Sequence, residues 1–181
     1  LFGFHKYPNF VFFGSYQFMD KDNLYILNLP PFDAKILETD SGLVIFDEVR
    51  RKYVALTPEE WVRQHFVHYL IAKKGYPRSL MANEISITLN SMTRRCDTVV
   101  YNNRLEPLMI LEYKSPQISI NREVFDQIAR YNSVLRVEYL IVSNGLSHYC
   151  CKMDYENQTF CYLREIPDYF TITQDRPLPS T

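Results

Sequence analysis

The sequence predicts an α/β fold, a mixed central sheet flanked by helices. Two observations carry that prediction. Short apolar runs, alternating or continuous, recur between turn signals, and two segments of helical periodicity separate them. Their order is hairpin, helix, three strands, helix, strand, hairpin, which places helices on the faces of one sheet.

The stretch "DAKILETDSGLVIFDEVR" offers apolar runs at 34–38 and 43–47 around the turn signal Thr39-Asp40-Ser41-Gly42, a hairpin. In "LTPEEWVRQHFVHYLIAKKG", Val62, Phe66, Tyr69, Leu70 and Lys73 follow helical spacing. Thr57 caps that helix, Pro58 takes its first position and Gly75 closes it. "EISITLN" alternates through Ile85, Ile87 and Leu89, a half-buried strand, and "DTVVY" with "PLMILEYK" forms a hairpin across "NNRLE". The second helix covers "REVFDQIARYNSVL", with Val124, Ile128, Tyr131 and Leu135 as its inward stripe. "VEYLIVSNG" reads as a buried strand, and "HYCCKMD" with "TFCYLRE" closes the chain as a hairpin around "YENQ".

At 181 residues, 46% hydrophobic and 15% aromatic, the chain has the means for one domain with a real core. Its net charge of -1 lacks the broad basic field of a protein that coats nucleic acid, so any such binding rests on local patches. Candidates are Arg50, Arg51 and Lys52; Lys73 and Lys74; and Arg94 and Arg95, each of which also suits an ordinary solvated face. Cys96, Cys150, Cys151 and Cys161 show neither zinc spacing nor a disulfide framework, and Cys150 and Cys151 should point to opposite faces of a strand. No apolar run approaches the roughly 18 residues of a membrane span, so a soluble, cytoplasmic protein is expected. Residues 1–18 are dense in aromatics and do not match a signal peptide. They read as an extension foreign to the domain, with Met19 as the true start and 19–181 as one domain, or as an extra packed strand.

The chemistry sits in "MILEYKSP". Side chains alternate along a strand, so Glu112 and Lys114 share one face while Leu111 and Tyr113 share the other. If the preceding turn is symmetric about residues 104 and 105, Tyr101 lies opposite Leu108 and Asp97 opposite Glu112. Facing carboxylates destabilise a sheet, more so when buried, unless a counter-charge is present. A divalent cation removes that conflict, and such oxygens suit Mg²⁺ or Mn²⁺. Lys114 can then hold or help activate a metal-bound water. The plain alternative is a Glu112–Lys114 ion pair at a sheet end, with Asp97 a turn residue.

Asp97 followed by Glu112-Tyr113-Lys114 resembles the PD-(D/E)XK nuclease signature, with Cys96 where the name has proline. The run "RRCDTVVYNNRLEPLMILEYKSP" is similar to the N-terminal nuclease domain of type I restriction enzyme R subunits. Glu60-Trp61-Val62-Arg63, followed by "YLIAKKGYP", resembles that family's first helix, and Gln127-Ile128-Ala129-Arg130-Tyr131 matches its QxxxY motif. The order agrees from about residue 33 to 165, and the likeness is to short, stand-alone members. The resemblance implies a restriction-endonuclease-like core that cuts DNA with Mg²⁺ or Mn²⁺, and a restriction-system or other protein as partner. It makes Asp97 and Glu112 metal ligands and Lys114 the water-positioning base or electrostatic stabiliser. Glu60 approaches the metal from the helix. Gln127 and Tyr131 steady the site or contact a phosphate, with Arg63 and Arg95 as further nucleic-acid contacts.

Other roles remain open for several of these residues. Glu60 lies three after Thr57, the capping-box spacing, and Tyr131 also fits core packing. His65 and His68 lie three apart on the first helix, but nothing is spaced to complete a metal site with them. R subunits join this domain to an ATP-driven motor, and these five glycines form no G-x-x-x-x-G-K stretch, so translocation by this chain alone is not expected. The competing functional class is a nucleic-acid-binding or subunit-docking module that keeps the fold and cuts nothing.

Overall fold

The computed structural model describes residues 24–89 and 92–174, without side-chain placement at 89, 92, 94, 130 and 131. The proposed extension at residues 1–18 and the proposed start at Met19 lie outside the described residues, as does the Tyr131 side chain. A three-stranded meander comes first: β1 (Ile36–Thr39), β2 (Gly42–Asp47) and β3 (Lys52–Ala55), paired in that order. The β1–β2 hairpin turns where the sequence indicates, whereas β3 was not foreseen. It is only four residues long, and its return depends on Asp47, whose Oδ1 accepts the Val49 and Arg50 amides at 2.8 and 2.9 Å.

Helix α1 (Pro58–Lys74) starts and stops as its caps dictate. The Thr57 hydroxyl accepts the Glu60 amide, Pro58 opens the helix, and Gly75 ends it at φ 69°, a left-handed conformation that glycine adopts without a Cβ penalty. A 3-10 turn at Arg78–Leu80 leads into β4 (Met81–Leu89), β5 (Met92–Tyr101) and β6 (Pro107–Tyr113). Next come α2 (Arg122–Leu135), β7 (Tyr139–Ser143), β8 (His148–Asp154), β9 (Thr159–Leu163) and α3 (Tyr169–Gln174). The six strands from β4 to β9 form one sheet in sequence order, and only β6 and β7 pair in parallel, because α2 carries the chain back between them. The fold is mixed α/β.

One register expectation needs correction. Tyr101 pairs with Pro107, not Leu108, across a bulge after Val100. The turn is not symmetric: Asn102 Oδ1 accepts the Arg104 and Glu106 amides, and Leu105 takes a left-handed φ of 60°. Below the bulge Thr98 faces Leu111, so Asp97 and Glu112 stand one residue past the last regular pair. The expected adjacency survives there.

Two apolar clusters lie on opposite sides of the sheet. Val62, Phe66 and Leu70 of α1 meet Leu111 and Tyr113 on one side, and Val124 and Ile128 of α2 meet Ile110 and Val142 on the other. Cys150 and Cys151 divide between the two, as alternation requires. Each fully buried large side chain contributes roughly 1.5–3 kcal/mol. Of the expected α1 stripe, Lys73 is exposed, while residues 60 to 67 are buried on every side. The earlier segment covers the outer face of α1: Phe32 stacks on His68 at 3.9 Å and meets His65 edge-on at 4.7 Å, and Trp61 Nε1 donates to the Tyr25 carbonyl. Helix α3, too short to show periodicity, was also not foreseen; Tyr169 packs on Tyr76 beside it.

Candidate active site

The structure brings Glu112, Lys114 and Gln127 together at the end of β6. Lys114 Nζ donates to Glu112 Oε1 at 2.7 Å, and Gln127, one turn into α2, donates to the same oxygen and accepts from Lys114 at 3.2 Å. Leu111 and Tyr113 point into the α1-side core, as alternation requires. Asp97 completes the group from β5. Its Oδ2 accepts the Tyr113 amide at 2.8 Å, so the carboxylate occupies a place in the β5–β6 ladder. Asp97 is therefore a strand residue, and Glu112 and Lys114 are an ion pair with a second carboxylate beside them.

Glu112 differs from an ordinary paired carboxylate. It is 2% exposed, and its Oε2 is buried without a hydrogen-bond partner among the described residues. Burial first, then the charge of Asp97, pushes its pKa up to about 7 despite Lys114. Asp97 is also raised, by burial, against the opposing pull of Arg63. Lys114 is raised as well: burial alone would lower it, but the Glu112 hydrogen bond and charge outweigh that. Two acids that resist ionisation beside a fixed ammonium leave an excess of oxygen donors. Asp97 and Glu112 supply the hard oxygens that Mg²⁺ or Mn²⁺ takes, and Glu112 Oε2 points to no competing donor, so the residues fit such an ion. Among the described residues no group of three or more His, Cys, Asp or Glu side chains forms a ready cage.

Helix α1 contributes charge in a way the sequence did not reveal. Arg63 is 3% exposed, and its guanidinium contacts three carboxylates: Nη1 meets Glu60 and Glu84 at 2.7 Å each, and Nη2 meets Asp97 at 3.0 Å. Burial alone would lower its pKa, but those carboxylates raise it. Expected as a nucleic-acid contact, Arg63 lies instead in the interior, occupied by acids. Glu60 binds Arg63, Arg50 at 2.9 Å and Gln64 at 2.8 Å. Only its amide joins the Thr57 cap, and the Thr57 amide goes to Ala55, so the reciprocal half of the capping box is not made. Arg50 also pairs with the fully buried Asp47, which Asn83 and Thr98 link back to β5. One polar chain thus joins the meander to the site.

Two further acids belong to this region. Glu84, from β4, bridges the buried Arg63 and the exposed Arg95, the latter at 2.8 Å. Glu59 is half-buried; burial and then the charge of Asp97 raise its pKa, and it acts electrostatically on both Glu112 and Lys114. The sequence signal for Glu59 was its place beside Glu60 in the first turn of α1, where helical rotation turns the two in different directions. Glu84 had a signal only in hindsight, as a charge within an alternating strand. The other candidate groups are structural or peripheral. His65 Nδ1 donates to the Trp61 carbonyl at 3.0 Å, and burial takes its pKa down to about 4. Lys74 pairs with Asp168, Arg50 serves Asp47 and Glu60, and Arg95 keeps a 70% exposed side chain.

The family described as type I restriction enzyme R protein N terminus matches residues 58–167, which hold α1, the whole six-stranded sheet and Glu60, Arg63, Arg95, Asp97, Glu112, Lys114, Gln127 and Tyr131. Among solved structures, the chain is similar to a fragment described as that of an HsdR subunit of a type I restriction enzyme from Vibrio vulnificus YJ016. That likeness has 16% identity and a TM-score of 0.48, and covers 67% of this chain and 25% of that one. The chain thus spans a quarter of that neighbour's length. A search of curated proteins gave no significant match. No helix among the described residues is long and apolar enough to cross a membrane. With the family match spanning well over half of its length, the chain belongs to the type I restriction enzyme R protein N-terminus family.

Proposed function

We propose that the chain hydrolyses phosphodiester bonds in DNA with a divalent cation, Mg²⁺ or Mn²⁺, held by Asp97 and Glu112. The observation that carries this reading is the unpartnered, buried Oε2 of Glu112 beside a second buried acid and a lysine. Buried carboxylate oxygens in native proteins generally have a partner, and a cation would supply one here. When bound, the cation would supply an acidified water and stabilise charge on the phosphate.

The chain's own residues have distinct parts. Lys114, with a 20% exposed side chain, holds Glu112 in place and presents its ammonium toward solvent, where an attacking water and a phosphate oxygen would meet it. Gln127 fixes both Glu112 and Lys114 from α2. Asp97 is oriented by the Tyr113 amide. Arg95 offers an exposed cation for the DNA backbone. Tyr131 sits one helical turn after Gln127 on α2 and would contact a phosphate or steady the site. The partners in this reading are DNA and a restriction-system or other protein.

The docking-module reading has one observation in its favour: both Asp97 oxygens are already engaged, by Arg63 and the Tyr113 amide. A plasmid assay separates the two. Incubation with Mg²⁺ or Mn²⁺ should nick or linearise supercoiled DNA, and Lys114→Ala should abolish cleavage while retaining cation binding. Shift of the plasmid on a gel without any cleavage would favour the docking module.

A further inference from the structure

Glu84 occupies an unusual backbone position. Its neighbours keep the regular β4–β5 ladder, Asn83 facing Thr98 and Ile85 facing Cys96, yet Glu84 itself takes a φ of 61°. That left-handed region is costly for a residue with a Cβ, and such departures persist only where the surroundings enforce them. By register Glu84 stands across from Asp97, where its carboxylate joins Arg63 on one side and Arg95 on the other.

The grip on Arg63 is uneven. Nη1 is shared at 2.7 Å between Glu60 and Glu84, while Nη2 alone reaches Asp97 at the longer 3.0 Å. A cation arriving at Asp97 Oδ1 must displace that last contact, while Oδ2 keeps the Tyr113 amide. Without Glu84, the guanidinium would have one fewer anchor and would commit more of its charge to Asp97.

We propose that Glu84 is a positioning residue: it sets how firmly Arg63 covers Asp97, and so the affinity of the site for a divalent cation. This deepens the reading of Asp97 and Glu112 as cation ligands and rests on it. Arg63 acts as the built-in counter-charge of Asp97 in the cation-free protein, and Glu84 with Glu60 holds it back when Asp97 changes partner.

The test is calorimetric titration of the full chain with Mn²⁺, for the wild type, Glu84→Gln, Arg63→Gln and the double variant. Glu84→Gln should weaken Mn²⁺ binding by about fivefold or more, and that loss should fall below about twofold once Arg63 is replaced, since coupled residues do not add. An equal loss in both backgrounds would mean that Glu84 attracts the cation directly, and would overturn the proposal. So would a Glu84→Gln variant that binds like the wild type. If Arg63→Gln does not fold, Arg63→Lys runs the same cycle, because one ammonium cannot bridge three carboxylates as a guanidinium fork does. Glu84→Gly separates fold from affinity: it relieves the left-handed backbone and should melt no lower than Glu84→Gln, yet show the same weakened Mn²⁺ binding. Glycine with wild-type affinity would also overturn the proposal. A wild type that binds no Mn²⁺ defeats this inference and the cation-site reading together, whereas a wild type that binds with no change in the variants defeats this inference alone.

Discussion

The two helices that cover the central sheet do different work. Helix α2 buries Val124 and Ile128 against Ile110 and Val142, and offers one polar side chain, Gln127, to Glu112. Helix α1 also has an apolar seam, Val62, Phe66 and Leu70, but its first two turns bury Glu60, Arg63, Gln64 and His65 as well. Buried ion networks are poor sources of stability, because desolvation offsets much of the attraction. Among the described residues such a network is present in α1 and not shown in α2, which suits α1 to tuning the charge of the site and α2 to closing the sheet face.

The contrast can be broken at its strongest point. Arg63→Gln should destabilise the cation-free protein by about 3–5 kcal/mol, the usual cost of stranding buried partners of an ion network. Urea unfolding in EDTA measures it. A loss below about 1 kcal/mol, the ceiling for an exposed pair, would show that α1 carries no tightly coupled network. On the other helix, Ile128→Ala should cost about 2–5 kcal/mol through a cavity. Its Mn²⁺ affinity should stay within about twofold of the wild type, the change expected for uncoupled sites. A large change in affinity there would mean that α2 shapes the site as much as α1 does.

Most of the fold was legible because periodicity and punctuation agree. The caps of α1, the full span of α2 and the closing hairpin all follow from local signals whose partners are near in sequence. Short elements with long-range causes were not: β3 depends on Asp47, and α3 on docking beside Tyr76. At the site, strand alternation placed Glu112 with Lys114, and the extrapolated register placed Asp97 beside them. Alternation could not show that Asp97 already has a counter-ion, because Arg63 reaches it from 34 positions away along the chain. Nor could it tell Glu59 from Glu60. Adjacent residues in the first helical turn point in different directions, and the packed positions of Arg50, Arg63 and Gln64 draw Glu60 into the network.

In the proposed reading, Asp97 and Glu112 are kept together at a cost that a bound cation offsets. Thermal unfolding of the wild type and Glu112→Gln, at pH 8 in EDTA and again in Mn²⁺, addresses it directly. The folded-state pKa of Glu112 is raised from its ordinary 4.5 to about 7, so its contribution to stability is full below the unfolded value and lost as pH rises through 7. At pH 8 in EDTA the wild type bears that loss, and Glu112→Gln should melt at or above it. Bound cation stabilises the folded state by mass action, so Mn²⁺ should raise the melting temperature of the wild type and leave Glu112→Gln unmoved. A Glu112→Gln variant that melts well below the wild type in EDTA, with neither protein responding to Mn²⁺, would make Glu112 a structural ion-pair partner and contradict the account.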